Sequence, residues 1–226
     1  MTISSLDRSP EALPPGGERA VVPLVLEGRV VRLEPLTIAH VPALAAAAAG
    51  SRDTYGWTFV PDGEAATLAS VETILRDQAD GRALAFATIS RTTGEVVGTT
   101  RFLNIEYWDW PEDNPNQRST QLPDAVEIGG TWLAASAQRT PLNTEAKLLM
   151  LTHAFEKWRV HRVRLMTDSR NERSRNAIER IGGQLDGILR AHTAGSDGAI
   201  RDSAVYSLLE ANWPADKAKL QSRLPK

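Results

Sequence analysis

The chain has 226 residues and a mass of 24.7 kDa, enough for one generous domain or two small ones. Its composition, 42% apolar and 24% charged with a formal net charge of −2, excludes a wholly disordered chain, a collagen-like repeat and the basic footprint of a nucleic-acid binder. With no cysteine, thiol nucleophiles, disulfides and thiolate metal sites are excluded; the four histidines, His40, His153, His161 and His192, form no i,i+4 pair, so no metal site is expected.

Residues 1–23 mix charges with Pro10, Pro14, Pro15, Gly16 and Gly17 and lack the apolar stretch of a signal peptide. They read as a flexible N-terminal arm. The longest uncharged run, Leu36 to Ser51, is too short to span a bilayer, so no membrane association and a cytoplasmic location are expected. Alternation over Arg29 to Leu36 predicts a first strand, and Thr37 caps an Ala-rich helix ending near Gly50. The stretch Tyr55 to Pro61, with Trp57 and Phe59, is either a loop that buries its rings or part of a substrate-pocket wall presenting Tyr55 and Trp57. Leu68, Val71, Leu75 and Ala79 place a second helix over Glu64 to Gly81.

Leu84 to Ser90 and Val96 to Ile105 form a hairpin around Thr92 to Glu95, and Ala125 to Ala134 is a nearly charge-free, hence central, strand. Between them, Glu106 to Asp124 is polar and irregular. It is either a solvated loop or an acidic lip that attracts a cationic amine. Asn143 to Trp158 is a helix striped by Leu148, Leu151, Phe155 and Trp158. Arg162 to Asp168 is a strand, Glu172 to Ile181 a helix stopped by Gly182 and Gly183, and Leu185 to His192 and Ile200 to Leu209 a closing hairpin. Residues 24–214 thus predict a single α/β (α+β) domain, with 215–226 as a C-terminal tail.

Motifs in this order resemble the GNAT superfamily of N-acetyltransferases, and more closely its RimJ/RimL-like branch of ribosomal-protein N-terminal acetyltransferases. They are Glu127-Ile128-Gly129 with Trp132, Thr144-Glu145-Ala146 opening a helix, Asp168-x-x-Asn171-x-x-Ser174, then Gly182, Gly187, Arg190, Asp202, Tyr206, Ser207, Leu208 and Trp213. The resemblance implies a mixed, mostly antiparallel sheet, splayed between its central strands and flanked by helices. It also implies an acyl-CoA-dependent N-acyltransferase. Acetyl-CoA would be its co-substrate and a primary amine, on a protein N-terminus or a small molecule, its acceptor; a homodimer is a further expectation.

A helix N-terminus suits a pyrophosphate, because unpaired amides and the positive dipole end gather there. The loop before the long helix, Gln138-Arg139-Thr140-Pro141-Leu142-Asn143, departs from the family's Q/R-x-x-G-x-G/A. Pro141 withholds an amide, a loss that the Arg139 guanidinium offsets. Asn143 tolerates the left-handed conformation and also suits a helix cap. The expected cofactor contacts are Gln138, Arg139, Thr140, Leu142, Asn143 and Thr144, with Trp132 and Leu133 offering strand backbone to pantetheine and oxyanion. Asn171 matches the family residue that bonds the pantetheine arm, and its position equally suits the cap of the following helix.

For the proton inventory, Glu127 is the lone carboxylate of an apolar strand, a candidate general base. Its alternative is a solvated strand start. Ser174 matches the branch's serine that protonates the departing thiolate, or is an ordinary first-turn serine. Tyr206 is a weaker acceptor contact, or packing. The altered phosphate loop keeps a second class of function in view, a non-catalytic CoA-binding sensor or interaction module of the same fold.

Overall fold

The computed structural model describes residues 21–225. The arm expected at 1–23 lies outside them except for its last three residues. One eight-stranded sheet organises the chain. In chain order its strands are β1 (Leu26–Glu27), β2 (Val31–Pro35), β3 (Ala83–Ser90), β4 (Val96–Glu106), β5 (Ala125–Leu133), β6 (Arg162–Asp168), β7 (Gln184–Ala194) and β8 (Ile200–Leu209). Their spatial order is β1-β2-β3-β4-β5-β6-β8-β7. Every pairing is antiparallel except β5 with β6.

The parallel pair requires a crossover, supplied by α3 (Pro141–Thr152) and a π-helical turn over His153–Trp158. The predicted single helix to Trp158 therefore changes winding before its end. Arg159, left-handed at φ 58°, stops it. The other helices are α1 (Val41–Ala48), α2 (Gly63–Ala79), α4 (Glu172–Arg180) and α5 (Trp213–Ser222). Thr37 caps a short 3-10 turn before α1, completing a capping box with His40, whose Nδ1 accepts from Thr37 N at 3.0 Å.

Period-two alternation sends neighbouring side chains of each strand to opposite faces. Leu84, Phe86, Val126 and Ile128 join a core with Ala146, Met150 and Leu151 of α3, Ile178 of α4, and Trp213 and Leu220 of α5. Ala85, Ala87 and Trp132 join a second core with Leu44 of α1 and Val71 of α2. The expected tail at 215–226 is thus corrected. Its apolar Leu220 is fully buried, and Trp213 Nε1 and Lys217 Nζ both donate to Glu156, at 2.9 and 2.5 Å.

Two features of β5 position the site. It pairs with β6 only over Ala125↔Arg162, Val126↔Val163 and Glu127↔Arg164, so the strands part beyond Glu127, while β6 stays paired with β8 to Asp168. On its other side, β5 gains one residue against β4 between the Arg101↔Gly129 and Thr99↔Trp132 pairs. Gly130 takes this bulge at φ +56°, where a Cβ would fall 2.7 Å from Arg101 Nε. The bulge reverses the facing of later residues, so Thr131 turns toward α3 and Trp132 toward the α1–α2 core.

Candidate active site

A cleft of about 1510 Å³ opens where β5 leaves β6. Its walls come from the 54–61 loop, α2, β4, the separated part of β5, the 138–140 loop, the first turns of α3, and α4. Among the described residues the wall carries Arg101, Arg139, Arg173, Arg180, Arg201, Arg223 and Lys147 against a single carboxylate, Asp77. A chain of net charge −2 has concentrated cations here, as a polyanionic ligand requires.

At one end, Thr140 is the N-cap of α3: Oγ1 accepts from Leu142 N at 3.4 Å and donates to Ala137 O at 2.7 Å. Helix α3 begins at Pro141, two residues earlier than predicted, and the cap is Thr140 rather than Asn143. A proline at the first helical position withholds an amide that the helix leaves unused, and Asn143 and Thr144 still stand in the first turn and line the cleft. Arg139 takes the left-handed conformation at φ 59° and is exposed at the rim. Gln138 is a clamp: Nε2 donates to Leu133 O and Thr54 Oγ1, both at 2.9 Å, and Oε1 accepts from Arg173 at 3.3 Å. Leu142 reaches the cleft with no side chain, being packed in the α3 core.

The 54–61 loop covers the cleft through named ties. Tyr55 Oη donates to Leu133 O at 3.1 Å, and the ring meets Trp132 edge-on with centroids 6.4 Å apart. Burial pushes the Tyr55 hydroxyl pKa up, against a smaller lowering by Arg52. Tyr55 is buried and lines the cleft wall, whereas the Trp57 and Phe59 rings are exposed, so the loop does not bury its rings as a plug. Trp57 lies under the Arg170 guanidinium, 4.1 Å from the ring centroid. Arg173 donates to Thr54 O, and Ser196 of the β7–β8 turn donates to Gly56 O at 2.9 Å. Leu133 O is thus fully engaged by Tyr55 and Gln138.

Asp168 and Asn171 build the opposite lip. Buried Asp168 accepts from Arg170 Nε at 2.9 Å and Nη2 at 2.7 Å, and these bonds hold its pKa below the usual range. Asn171 caps α4, its Oδ1 accepting from Ser174 N at 3.0 Å. The side-chain amide remains to donate into the cleft that Asn171 and Ser174 line.

Three expectations are corrected by placement. Glu127 is neither a solvated strand start nor a carboxylate among apolar neighbours. It is buried, and Oε2 accepts from Arg164 Nε at 2.8 Å and Asn104 Nδ2 at 3.0 Å. It stands behind the wall, where a Cβ on cleft-lining Gly129 would come within 3.3 Å of Oε1. Tyr206 is fully buried in the core, and its hydroxyl turns to Arg175 and Glu179 of α4, at 2.9 and 3.2 Å, so it is packing rather than an acceptor contact. The acidic lip is absent, since none of residues 106–124 lines the cleft. Asp124 instead accepts from Trp108 N and Trp110 Nε1 at 2.8 and 2.7 Å, and Glu106 pairs with Arg162 at 3.0 Å.

The structure also adds residues that the sequence reading passed over. Lys147 lines the cleft from α3 although its side chain is buried, and Arg101 lines it from β4. The available signal for Lys147 was its place on the same helical face as Ala146, Met150 and Leu151. No metal-ligand cluster of His, Asp and Glu occurs among the described residues.

An open sheet with one parallel pair, a cationic notch where that pair parts, and a capped helix pointing into the notch define a CoA-dependent acyltransferase type of fold. The chain belongs to the acetyltransferase (GNAT) domain family, whose model matches residues 31–184. YdaF of Bacillus subtilis (strain 168), provisionally named a ribosomal N-acetyltransferase, is 33% identical over 97 residues. That match covers 43% of this chain and about half, 52%, of the relative. A provisionally named acetyltransferase structure from T. thermophilus is 35% identical, with a TM-score of 0.72 over 91% of this chain and 99% of that one. RimJ of Mycobacterium smegmatis, solved with CoA-disulfide, shares the fold at 20% identity, with a TM-score of 0.71 over 88% and 94% of the two chains. Among the described residues no helix is long and apolar enough to cross a membrane.

Proposed function

We propose that the chain transfers an acetyl group from acetyl-CoA directly to a primary amine within a ternary complex. The observation that carries this reading is the strand edge left unpaired from Ile128 onward beside a wall of six arginines and, among the described residues, one carboxylate. Pantetheine is a chain of amides that extends such an edge, and its phosphates need cations and free helix amides. Arg139 and the first-turn amides of α3 take the pyrophosphate end, and the Asn171 side-chain amide takes the pantetheine arm.

The acceptor enters on the α2 side, past Trp57 and Arg101. Its nitrogen attacks the thioester carbonyl, the C–S bond breaks, and the amine proton leaves toward Glu127 through water in the space that Gly129 keeps open. Ser174, on the cofactor side, supplies a proton to the thiolate. The likeness to RimJ and to a ribosomal N-acetyltransferase supports a protein N-terminus as acceptor, and the open wall at Trp57 equally admits a small amine. Cytoplasmic location and a homodimer belong to this reading; light scattering on the purified chain tests the second.

The deciding experiment screens amines and N-terminal peptides for acceptor-dependent release of CoA thiol. Release with at least one class is expected. Tight CoA binding with no release from any acceptor would favour the sensor alternative.

A further inference from the structure

Lys147 is a buried amine in the cleft wall that has no carboxylate partner among the described residues. Its Nζ donates to Thr131 Oγ1 at 2.7 Å and Thr100 Oγ1 at 3.1 Å. The two hydroxyls are themselves 2.8 Å apart. Each has an onward acceptor, Gly129 O at 3.5 Å for Thr131 and Met150 Sδ at 3.6 Å for Thr100. This network matches a neutral amine: two N–H groups are donated, both hydroxyl protons are placed, and one lone pair is left over. An ammonium would carry a third N–H with no protein acceptor and a charge with no counter-ion among the described residues, at the cost that burial imposes on both.

The location gives that lone pair something to do. Thr131 belongs to the unpaired stretch of β5 beside which the proposed function seats the thioester. Lys147 approaches from α3, on the cofactor face, whereas Glu127 lies on the opposite face of β5. Burial also lowers the amine pKa to about 7, so near neutrality a large share is unprotonated, unlike a surface lysine.

We infer that Lys147 is an internal acyl acceptor: with acetyl-CoA bound and no external amine present, its Nζ becomes acetylated. The lone pair attacks the thioester carbonyl carbon, a C–N bond forms, and the C–S bond breaks with its electron pair leaving on sulfur. One amine proton passes to that thiolate, so the products are N-ε-acetyl-lysine and CoA thiol. The amide is stable, so this is a modification of the chain and not a turnover intermediate. The inference rests on the acetyl-CoA reading of the cleft.

The test uses the full chain, isotopically labelled acetyl-CoA and no acceptor, with acetyl-CoA binding measured by calorimetry on the same sample. Intact mass and peptide mapping then compare Lys147 with the exposed Lys157 and Lys219. The expected result is one labelled acetyl group at Lys147, saturable in acetyl-CoA and suppressed by excess CoA. It should form at least about 100-fold faster than label at the exposed lysines, which have no bound thioester beside them. Acetyl phosphate, which lacks the CoA moiety, should reverse the order and label the exposed lysines first. Lys147→Met should remove the adduct, and the wild-type map decides the matter even if that variant misfolds. Binding without label at Lys147, or label there at the rate of Lys157 and indifferent to CoA, overturns the inference alone. Absence of acetyl-CoA binding overturns the cofactor reading and the inference together.

Discussion

Replacing Lys147 with Met tests the neutral-amine assignment through folding alone. The Lys147 pKa is about 7 in the folded chain against 10.5 for a free lysine, because burial strips the ammonium of its hydration. Below about pH 7 both folded and unfolded chains hold the proton, and the native state bears the full cost of the buried charge. Between about 7 and 10.5 the unfolded chain still holds a proton that the folded chain has released, so this residue's contribution to stability improves as pH rises. From pH 6 to pH 9 the improvement is about 3 kcal/mol. Methionine keeps the length and cannot ionise, and Thr100 and Thr131 can still bond each other across 2.8 Å. Urea unfolding of both proteins at pH 6, 7, 8 and 9 gives a wild-type-minus-variant difference free of every other titrating group. That difference should stay level near pH 6 and rise by about 3 kcal/mol by pH 9. A difference that stays flat across the range would mean that Lys147 does not release its proton in this window, and the hydrogen-bond argument for a free lone pair would fall with it.

His153, whose pKa is lowered to about 4 first by burial and then by Lys157, has a buried Nε2 without a hydrogen-bond partner. Stability should fall as pH drops from about 6.5 toward 4, and His153→Leu should flatten that part of a melting-temperature profile. Arg139→Ala should weaken CoA by about tenfold, as expected for a charged hydrogen bond to phosphate, while leaving a phosphate-free pantetheine unchanged in the same titration; equal losses would contradict a phosphate role. Glu127→Gln should lower turnover by roughly 10²-fold or more with CoA affinity nearly intact, and an unchanged rate would remove Glu127 from the proton path. For Ser174→Ala a loss of roughly 10²-fold in rate at unchanged melting temperature is expected of a proton donor, whereas a first-turn helical serine would shift only the melting temperature.

Much of the architecture is legible in the residues because its signals are local. The 3.6-residue stripe placed α3 to within two residues at its start, although it could not foresee the π-helical turn, which needs no change in residue type. Alternation and turn chemistry gave β3, β4, β7 and β8. The 168–174 motif carried its own meaning, since an Asp, an Asn three residues on and a Ser three beyond form a turn and a cap through bonds of two and three residues' separation. The acidic 106–124 segment shows the opposite case. Its charge was readable, but its location at the paired end of β5 and β6, away from the cleft, and its pairing to Arg162 were set by contacts distant in sequence.

The set of elements, their order and the family follow from the residues alone, because hydrophobic period, caps and motif spacing act over a few residues. Where β5 and β6 separate is set by contacts distant in sequence. The apolar character of β5 continues past Glu127, and the pairing ends because the Gly130 bulge and the ladder to β4 turn the strand away while β6 follows β8. The chemical state of the site was decided in the same way. Tyr206, Glu127 and Lys147 are single polar residues in apolar segments. Whether each becomes packing, an ion-paired carboxylate or a neutral amine depends on which groups from other strands and helices meet it when water is removed: Glu179 and Arg175, Arg164 and Asn104, or two threonine hydroxyls and no carboxylate.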